Sequence, residues 1–278
     1  MPDATPAPPT RFDLDAYLAR IRYSGPREPT LATLNAISWH HATTIPFENL
    51  DVLWGRTISL NPEALMAKLV HAQRGGYCFE QNNLLRLALE ALGFRLTLLG
   101  GRVRGSLPRD VVPPRTHVFL RVHLPAGDYL ADVGMGSASL TNALPLIFDR
   151  PLPTPHETRR LVRDGDRLFH QIDQGDGWMD LCEFTFEPFH PIDCEVGNWW
   201  TSTHPASHFR ENLIAGRARP DGTRDTVRDG VFMRRRGAEI LEKTPLTSAE
   251  QLRGLLAEHF GLSLPDGTSF GPLDATLA

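Results

Sequence analysis

Up to about residue 94 the apolar side chains recur every three or four positions, and beyond it they alternate. LDAYLARIRY (14–23) and TLATLNAISWHHATTI (30–45) carry the helical spacing. NPEALMAKLV (61–70) adds start signals: Asn61 as N-cap, Pro62 at the first helical position, and an apolar face of Leu65, Leu69 and Val70. FEQNNLLRLALEAL (79–92) predicts a helix beginning at Phe79, with Cys78 as its N-cap and Gly93 as its stop. The Pro-rich residues 1–10 predict a frayed end.

From residue 95 the segments are short and rich in β-branched residues: RLTLLGGRVRG, THVFLRVHL, DYLADVG, TRRLVRD, RLFHQID and WMDLCEFTF. Turn signals PAGD, RDGD and GDG separate several of them, which predicts an antiparallel sheet or a small barrel. After about residue 195, RDGVFMRRRGAEILEKT predicts a hairpin turning at Arg236-Gly237. TSAEQLRGLLAEHFG predicts a helix with a Thr247–Glu250 capping box and Gly261 as its stop. Helices, then strands, then a mixed end make an α+β chain of three segments, 1–94, 95–194 and 195–278.

Composition narrows the function classes. A net charge of −4 argues against nucleic acid as a partner, because phosphate binding needs a basic surface. The N-terminal stretch lacks the pattern of a signal peptide, and no apolar run approaches the ~20 residues that span a membrane. The three cysteines, Cys78, Cys182 and Cys194, have no framework spacing, which predicts reduced thiols in the cytoplasm. His190 and Cys194 lie four apart, but further ligands at zinc spacing are missing, so no metal is expected.

Candidate chemistry centres on RGGYCFEQNNLL (74–85). A cysteine at a helix start meets free N–H groups and the positive end of the helix dipole, which favour thiolate. Gly75 and Gly76 allow a tight turn and the close approach of another group. The competing reading is a small core residue, the usual fate of a lone cysteine. A working thiolate needs a base and a group that orients the base. His117 and His123 share one face of THVFLRVHL, and Asp132 lies on the next predicted strand. A hairpin turning symmetrically on Pro125–Asp128 sets Asp132 opposite Arg121, about 13 Å along the strand from His117. That register favours His123, whereas a bulge or an asymmetric loop reverses the choice. His40 and His41 precede PFENL on a helix and read as structural, and His204 reads as a loop residue.

Four segments in order resemble the arylamine N-acetyltransferases: IPFENLD (45–51), RGGYCFE (74–80), THVFLRV with the downstream DVGMG, and STHPASHF (202–209). The resemblance covers most of the chain. It implies an N-terminal helical bundle, a central antiparallel β-barrel and a C-terminal α/β lid. It implies Cys78 as the acyl-accepting nucleophile, His117 as the base and Asp132 as its orienter, overruling the simple hairpin. It implies Phe47, Met135 and Phe209 as the lining of an apolar acceptor pocket. Many relatives carry phenylalanine where this chain has Met135. The implied reaction is ping-pong acetyl transfer from acetyl-CoA, a cosubstrate rather than a bound cofactor, to arylamines or arylhydrazines, a chemistry of xenobiotic metabolism. Rival readings on the same triad are a coenzyme A-independent amide synthase and a cysteine hydrolase; a non-enzymatic binding module with Cys78 buried is a third. Glu48 and Arg74 read as structural charged partners. Arg102, Arg104, Arg109 and Arg115 are candidate partners for the phosphates of coenzyme A, with nothing in the sequence to separate them from solvated loop arginines.

Overall fold

The predicted helices form, and local hydrogen bonds set where they start. In the computed structural model, which describes residues 12–275 and 277, helix α1 (Leu14–Arg20) begins on Asp13, whose side chain accepts from Ala16 N–H at 2.9 Å. Helix α2 (Leu31–Thr44) begins on Thr30 in the same way. The expected fraying of residues 1–10 lies outside the described residues. The two-residue strand β1 (Phe47–Glu48) leads into the short helix α3 (Leu50–Leu53). Helix α4 (Pro62–Leu65) has proline in its first turn as predicted, but Asn61 makes no side-chain cap. It runs on as a π-helix over Met66–His71.

Helix α5 (Cys78–Ala91) starts one residue earlier than the sequence predicts. Tyr77 is the N-cap and Cys78 the first helical residue. Glu80 reaches back and accepts the Tyr77 N–H at 3.1 Å, which fixes the first turn around Cys78.

Among the described residues, eight antiparallel strands follow. They are β2 (Arg95–Val103), β3 (His117–Leu124), β4 (Gly127–Ala131), β5 (Leu144–Pro145), β6 (Leu152–Pro153), β7 (Thr158–Asp164), β8 (Arg167–Asp173) and β9 (Trp178–Pro188). Their order across the sheet is β5-β4-β3-β2-β9-β8-β7-β6. The two edge strands, β5 and β6, are joined by residues 146–151. A flat sheet of this size would be about 34 Å wide at ~4.8 Å per strand. The connector spans at most roughly 25 Å at ~3.6 Å per residue. The sheet therefore curls into a nearly closed barrel, and Phe148 of the connector bridges to Leu161 on β7.

The last third opens with α6 (Pro191–Thr203), which runs across residue 194. Strands β10 (Ile214–Ala218), β11 (Thr223–Arg228), β12 (Val231–Arg236) and β13 (Glu239–Pro245) form a second sheet, closed by helix α7 (Ala249–Phe260). The β12–β13 hairpin forms, with Arg236 paired to Glu239, so its turn is Gly237-Ala238 rather than Arg236-Gly237. The cap of α7 is Ser248, which accepts from Gln251 N–H, not Thr247 with Glu250. Gly261 ends α7 in the left-handed conformation at φ 70°, as predicted.

Two packing choices position the site. The apolar face of α5, including Leu85, Ala88 and Leu89, is buried with Val118, Leu120 and Val122 of β3. Each of these leucine and valine side chains contributes about 1.5–3 kcal/mol by leaving water, so α5 cannot slide on the barrel without losing that burial. Meanwhile β1, from the helical segment, pairs with β10 of the C-terminal sheet through Phe47–Gly216 and Glu48–Ala215. Phe47 also bridges to Gly76, so the turn before Cys78 is hydrogen-bonded indirectly to the last third of the chain.

Candidate active site

Cys78 stands at the head of α5, 4 % exposed, where first-turn N–H groups have no intrahelical acceptor. Close approach, rather than an unusual backbone angle, explains the glycines around it. A Cβ on Gly75 would lie 2.2 Å from the Pro46 carbonyl oxygen, and one on Gly134 would lie 2.8 Å from Cys78 Cα. Behind this turn Glu48 is fully buried and accepts from Arg74 at 2.7 Å, so the two are paired as the sequence reading had it. Lys68 binds both Glu80 and Asp51, extending the network away from the thiol.

The strand register differs from the symmetrical hairpin. Leu124 pairs with Gly127 and Leu120 with Ala131, so the turn is Pro125-Ala126. Continued one step, that register sets Asp132 opposite Phe119, two residues from His117. His117 Nε2–H donates to Asp132 Oδ2 at 2.8 Å, with both side chains buried. His123 is instead held by Asp128 Oδ1 at 2.8 Å and Thr97 Oγ1 at 2.9 Å. Of the two histidines that share a face of the strand, His117 therefore meets Asp132.

Burial opposes charge on His117, but the Asp132 carboxylate overcomes it through its field and hydrogen bond. With a smaller contribution from Cys78, this raises the His117 pKa to about 10. Burial likewise disfavours the Asp132 anion, yet His117 first, then Asn82 and the Gly134 N–H, hold its pKa below the usual range. The thiol of Cys78 points to the Thr116 carbonyl, 3.7 Å away, one residue before His117.

Cys78 and His117 open onto a cleft of about 200 Å³ that is also lined by Phe47, Met135 and Phe209. The structure thus brings together all the sequence-predicted site residues, with Asp132 behind His117. Phe47 and Phe209 lie 6.1 Å apart between ring centroids, and Phe209 meets Tyr77 edge-on at 5.9 Å. Among the described residues, no group of three or more His, Cys, Asp or Glu is arranged to hold a metal ion.

A cysteine at a helix start, with a carboxylate-bound histidine on the same cleft, is an arrangement suited to acyl transfer. The sequence pattern of an N-acetyltransferase family matches residues 30–268. The chain is 39% identical to the arylamine N-acetyltransferase of Escherichia coli K12, over 91% of this chain and 90% of the relative. It is 41% identical to that of Mycolicibacterium smegmatis, over 92% and 94%. The chain belongs to the arylamine N-acetyltransferase family. The solved structure of the Mycobacterium marinum arylamine N-acetyltransferase in complex with CoA superposes with a TM-score of 0.88 at 38% identity, covering 95% of this chain and 98% of that one. The Salmonella typhimurium enzyme gives 0.87 at 36% identity, covering 96% and 98%.

Several residues of this family member were not legible as site residues. Asn82 lies one helical turn after Cys78 and is fully buried. Its amide donates to Asp132 Oδ1 at 2.9 Å and to the Val118 carbonyl at 2.6 Å, and its oxygen accepts the Val133 N–H at 3.0 Å. The i, i+4 spacing from Cys78 was the available signal. His208 and Arg228 also line the cleft. His41 is the buried link between Tyr17 and Gln81, and burial lowers its pKa to about 4, which agrees with a structural role. His204 stacks on Trp200. The four arginines that the sequence left open as phosphate partners or solvated loop residues are engaged within the fold: Arg102 on Pro113, Arg104 on Glu183, Arg109 on Asp180 and Arg115 on Glu187.

Asn82→Ala leaves the buried Val133 N–H and Val118 carbonyl without this partner, at about 1–3 kcal/mol for each. A loss of about 1.4 kcal/mol in orienting Asp132 further corresponds to roughly tenfold in rate. Thermal melts and single-turnover acetylation should show both losses. An unchanged rate in a destabilised variant would confine Asn82 to folding.

Proposed function

We propose that this protein transfers an acetyl group from acetyl-CoA to arylamines and arylhydrazines through an acetyl-Cys78 intermediate. One observation carries the reading: Cys78, at a helix start, shares a cleft with a histidine whose far nitrogen is bound to a buried carboxylate. Family membership supplies the donor and acceptor classes.

The Cys78 thiolate attacks the thioester carbonyl carbon, and the carbonyl electron pair moves to oxygen. First-turn N–H groups of α5, with Cys78's own the foremost candidate, stabilise that oxyanion. Collapse breaks the bond to the coenzyme A sulfur, which takes a proton from the His117 imidazolium. One thioester replaces another, so little driving force is needed. The neutral amine then attacks acetyl-Cys78, His117 accepts its proton, and the cysteine leaves as thiolate. Asp132 keeps one tautomer and orientation of His117 throughout.

Phe47, Met135 and Phe209 form the acceptor pocket for the aromatic ring. The three segments divide the work: 1–94 supplies the nucleophile, 95–194 the base and its carboxylate, and 195–278 the lid that carries Phe209. We place the reaction in the cytoplasm, where its three free thiols stay reduced. Aromatic xenobiotics are the acceptor class that fits this pocket.

The test is a mixing experiment with acetyl-CoA alone. About one equivalent of coenzyme A should be released in a burst, the fingerprint of a covalent intermediate. Intact mass should rise by one acetyl group, mapped to Cys78, and an arylamine should discharge it. Continuous release without amine would indicate a hydrolase, and no burst would indicate a coenzyme A-independent amide synthase.

Methionine has no flat face and adapts its shape, so ring stacking at position 135 is lost while bulky substituents are accommodated. Met135→Phe is expected to shift relative KM between slim and bulky arylamines by several-fold, about 1 kcal/mol of ring contact. The burst should change far less. Identical acceptor preference in both proteins would remove Met135 from the pocket.

A further inference from the structure

Behind the cleft wall, three successive backbone carbonyls are each taken by a different arginine. Arg235 Nη2 donates to Ser137 O at 3.3 Å, Arg159 Nη2 to Ala138 O at 2.7 Å, and Arg224 Nη2 to Ser139 O at 2.9 Å. Arg159 comes from β7 of the barrel, whereas Arg224 and Arg235 come from β11 and β12 of the second sheet. Glu157 joins them. Its Oε1 accepts from Arg159 Nε and from Arg224 Nη2 at 2.8 Å each, its Oε2 accepts from Arg224 Nε at 2.7 Å, and Arg235 Nη1 lies 3.9 Å from Oε2. Arg159 is fully buried and Arg224 is 1% exposed. None of these four residues lines the cleft, but residues 134–137 do.

Stability alone does not explain such a cluster. Buried charges are costly, and apolar side chains of similar volume hold a core at least as well. Moreover, Arg224 Nη1 is buried and has no hydrogen-bond partner among the described residues. What a guanidinium supplies is direction, because its planar fork holds each acceptor in a set orientation. The carbonyls of residues 137–139 face the arginines, so their peptides cannot rotate without breaking a charge-assisted hydrogen bond. Met135, at the other end of this short segment, lines the cleft, and its carbonyl accepts the Ala138 N–H at 3.0 Å, which ties it to the held stretch.

We infer that Arg159, Arg224 and Arg235, held together by Glu157, are positioning residues for the acceptor pocket. They set the path of residues 135–139, and with it the room that Met135 leaves for the aromatic ring. The inference rests on the acceptor-pocket reading above. A misplacement of ~1 Å in a positioned group can cost up to ~100-fold in rate, so the contact is large enough to shape selectivity.

Arg235 is the most accessible of the three and makes the cleanest probe. The experiment measures the coenzyme A burst from acetyl-CoA alone, then KM and kcat for an unsubstituted aniline and a naphthylamine. For Arg235→Ala the burst should stay within about twofold while the ratio of the two KM values shifts by about fivefold or more. Arg235→Lys, which keeps a donor, should recover part of the shift. Glu157→Gln should move the ratio in the same direction, and Arg235→Ala combined with Met135→Ala should be non-additive. A folded Arg235→Ala protein with an unchanged ratio would overturn the inference, as would a burst that falls by the same factor as the ratio shifts. If Glu157→Gln fails to fold, the Arg235 pair and the double variant still decide. A wild-type protein without a burst would overturn the acetyltransferase reading itself, a separate failure.

Discussion

Replacing Cys78 by serine is expected to lower acetyl transfer by about 10³-fold or more, as loss of a nucleophile does in a triad enzyme. The hydroxyl is a far weaker nucleophile than a cysteine sulfur, and His117, held by Asp132, has no better group to serve in its place. Cys182→Ala and Cys194→Ala should keep the burst within about twofold, since neither thiol is activated. Burial, followed by Asp132, pushes the Cys182 thiol well above its ordinary range. Burial pushes the Cys194 pKa up to about 12. Cys182→Ala has a structural cost of about 1 kcal/mol, because its sulfur fills the space that Gly101 leaves open. Burst kinetics and intact mass check the set. A Cys78→Ser protein that kept a substantial share of turnover would remove Cys78 as the nucleophile.

His117→Ala is expected to slow acetylation by about 10²–10⁴-fold, the range for losing a positioned acid–base group. It should also slow iodoacetamide labelling of Cys78 at pH 7, because the sulfur loses the basic group beside it. His123→Ala should do neither, since His123 is committed to Asp128 and Thr97. The pH dependence of stability has a defined sign. The folded pKa of His117 is raised to about 10. Its unfolded value is about 6.5. The stability contributed by protonated His117 is therefore full below about pH 6.5 and lost as pH rises toward 10. The melting-temperature gap between wild type and His117→Ala should accordingly narrow from pH 6 to pH 10. A gap that widens would mean that the folded state does not favour the imidazolium.

Much of this was legible in the residues. Periodicity located α5 and α7 and the run of strands, because an amphipathic element must turn its apolar face to a core. Gly75-Gly76 before Cys78 marked a close approach at a helix start, and the structure supplies the group that approaches, the Pro46 carbonyl. Capping was read less well. Thr247 and Ser248 are both competent caps; Ser248 accepts the Gln251 N–H, and Thr247 N–H donates to the Gln251 side chain instead.

Register and remote pairing lay beyond the sequence. A two-residue period assigns faces to His117, His123 and Asp132, but a turn of two residues in place of four changes which of them meet. The choice of His117 over His123 before the structure came from resemblance, not from spacing. Asn82 is an ordinary polar residue until α5 is laid on β3, when its amide spans Val118, Val133 and Asp132. The pairing of β1 with β10 joins residues about 170 positions apart. The arginine clamp on residues 137–139 likewise draws on two sheets that no local signal connects. Local sequence determines which face is apolar, where helices start to within a residue, and which thiol sits at a helix head, since these depend on neighbours within a few residues. Which histidine serves Asp132, what holds Phe47 beside Phe209 and what fixes the wall at Met135 were decided by the tertiary structure, because each depends on contacts between segments that only burial of the shared cores brings together.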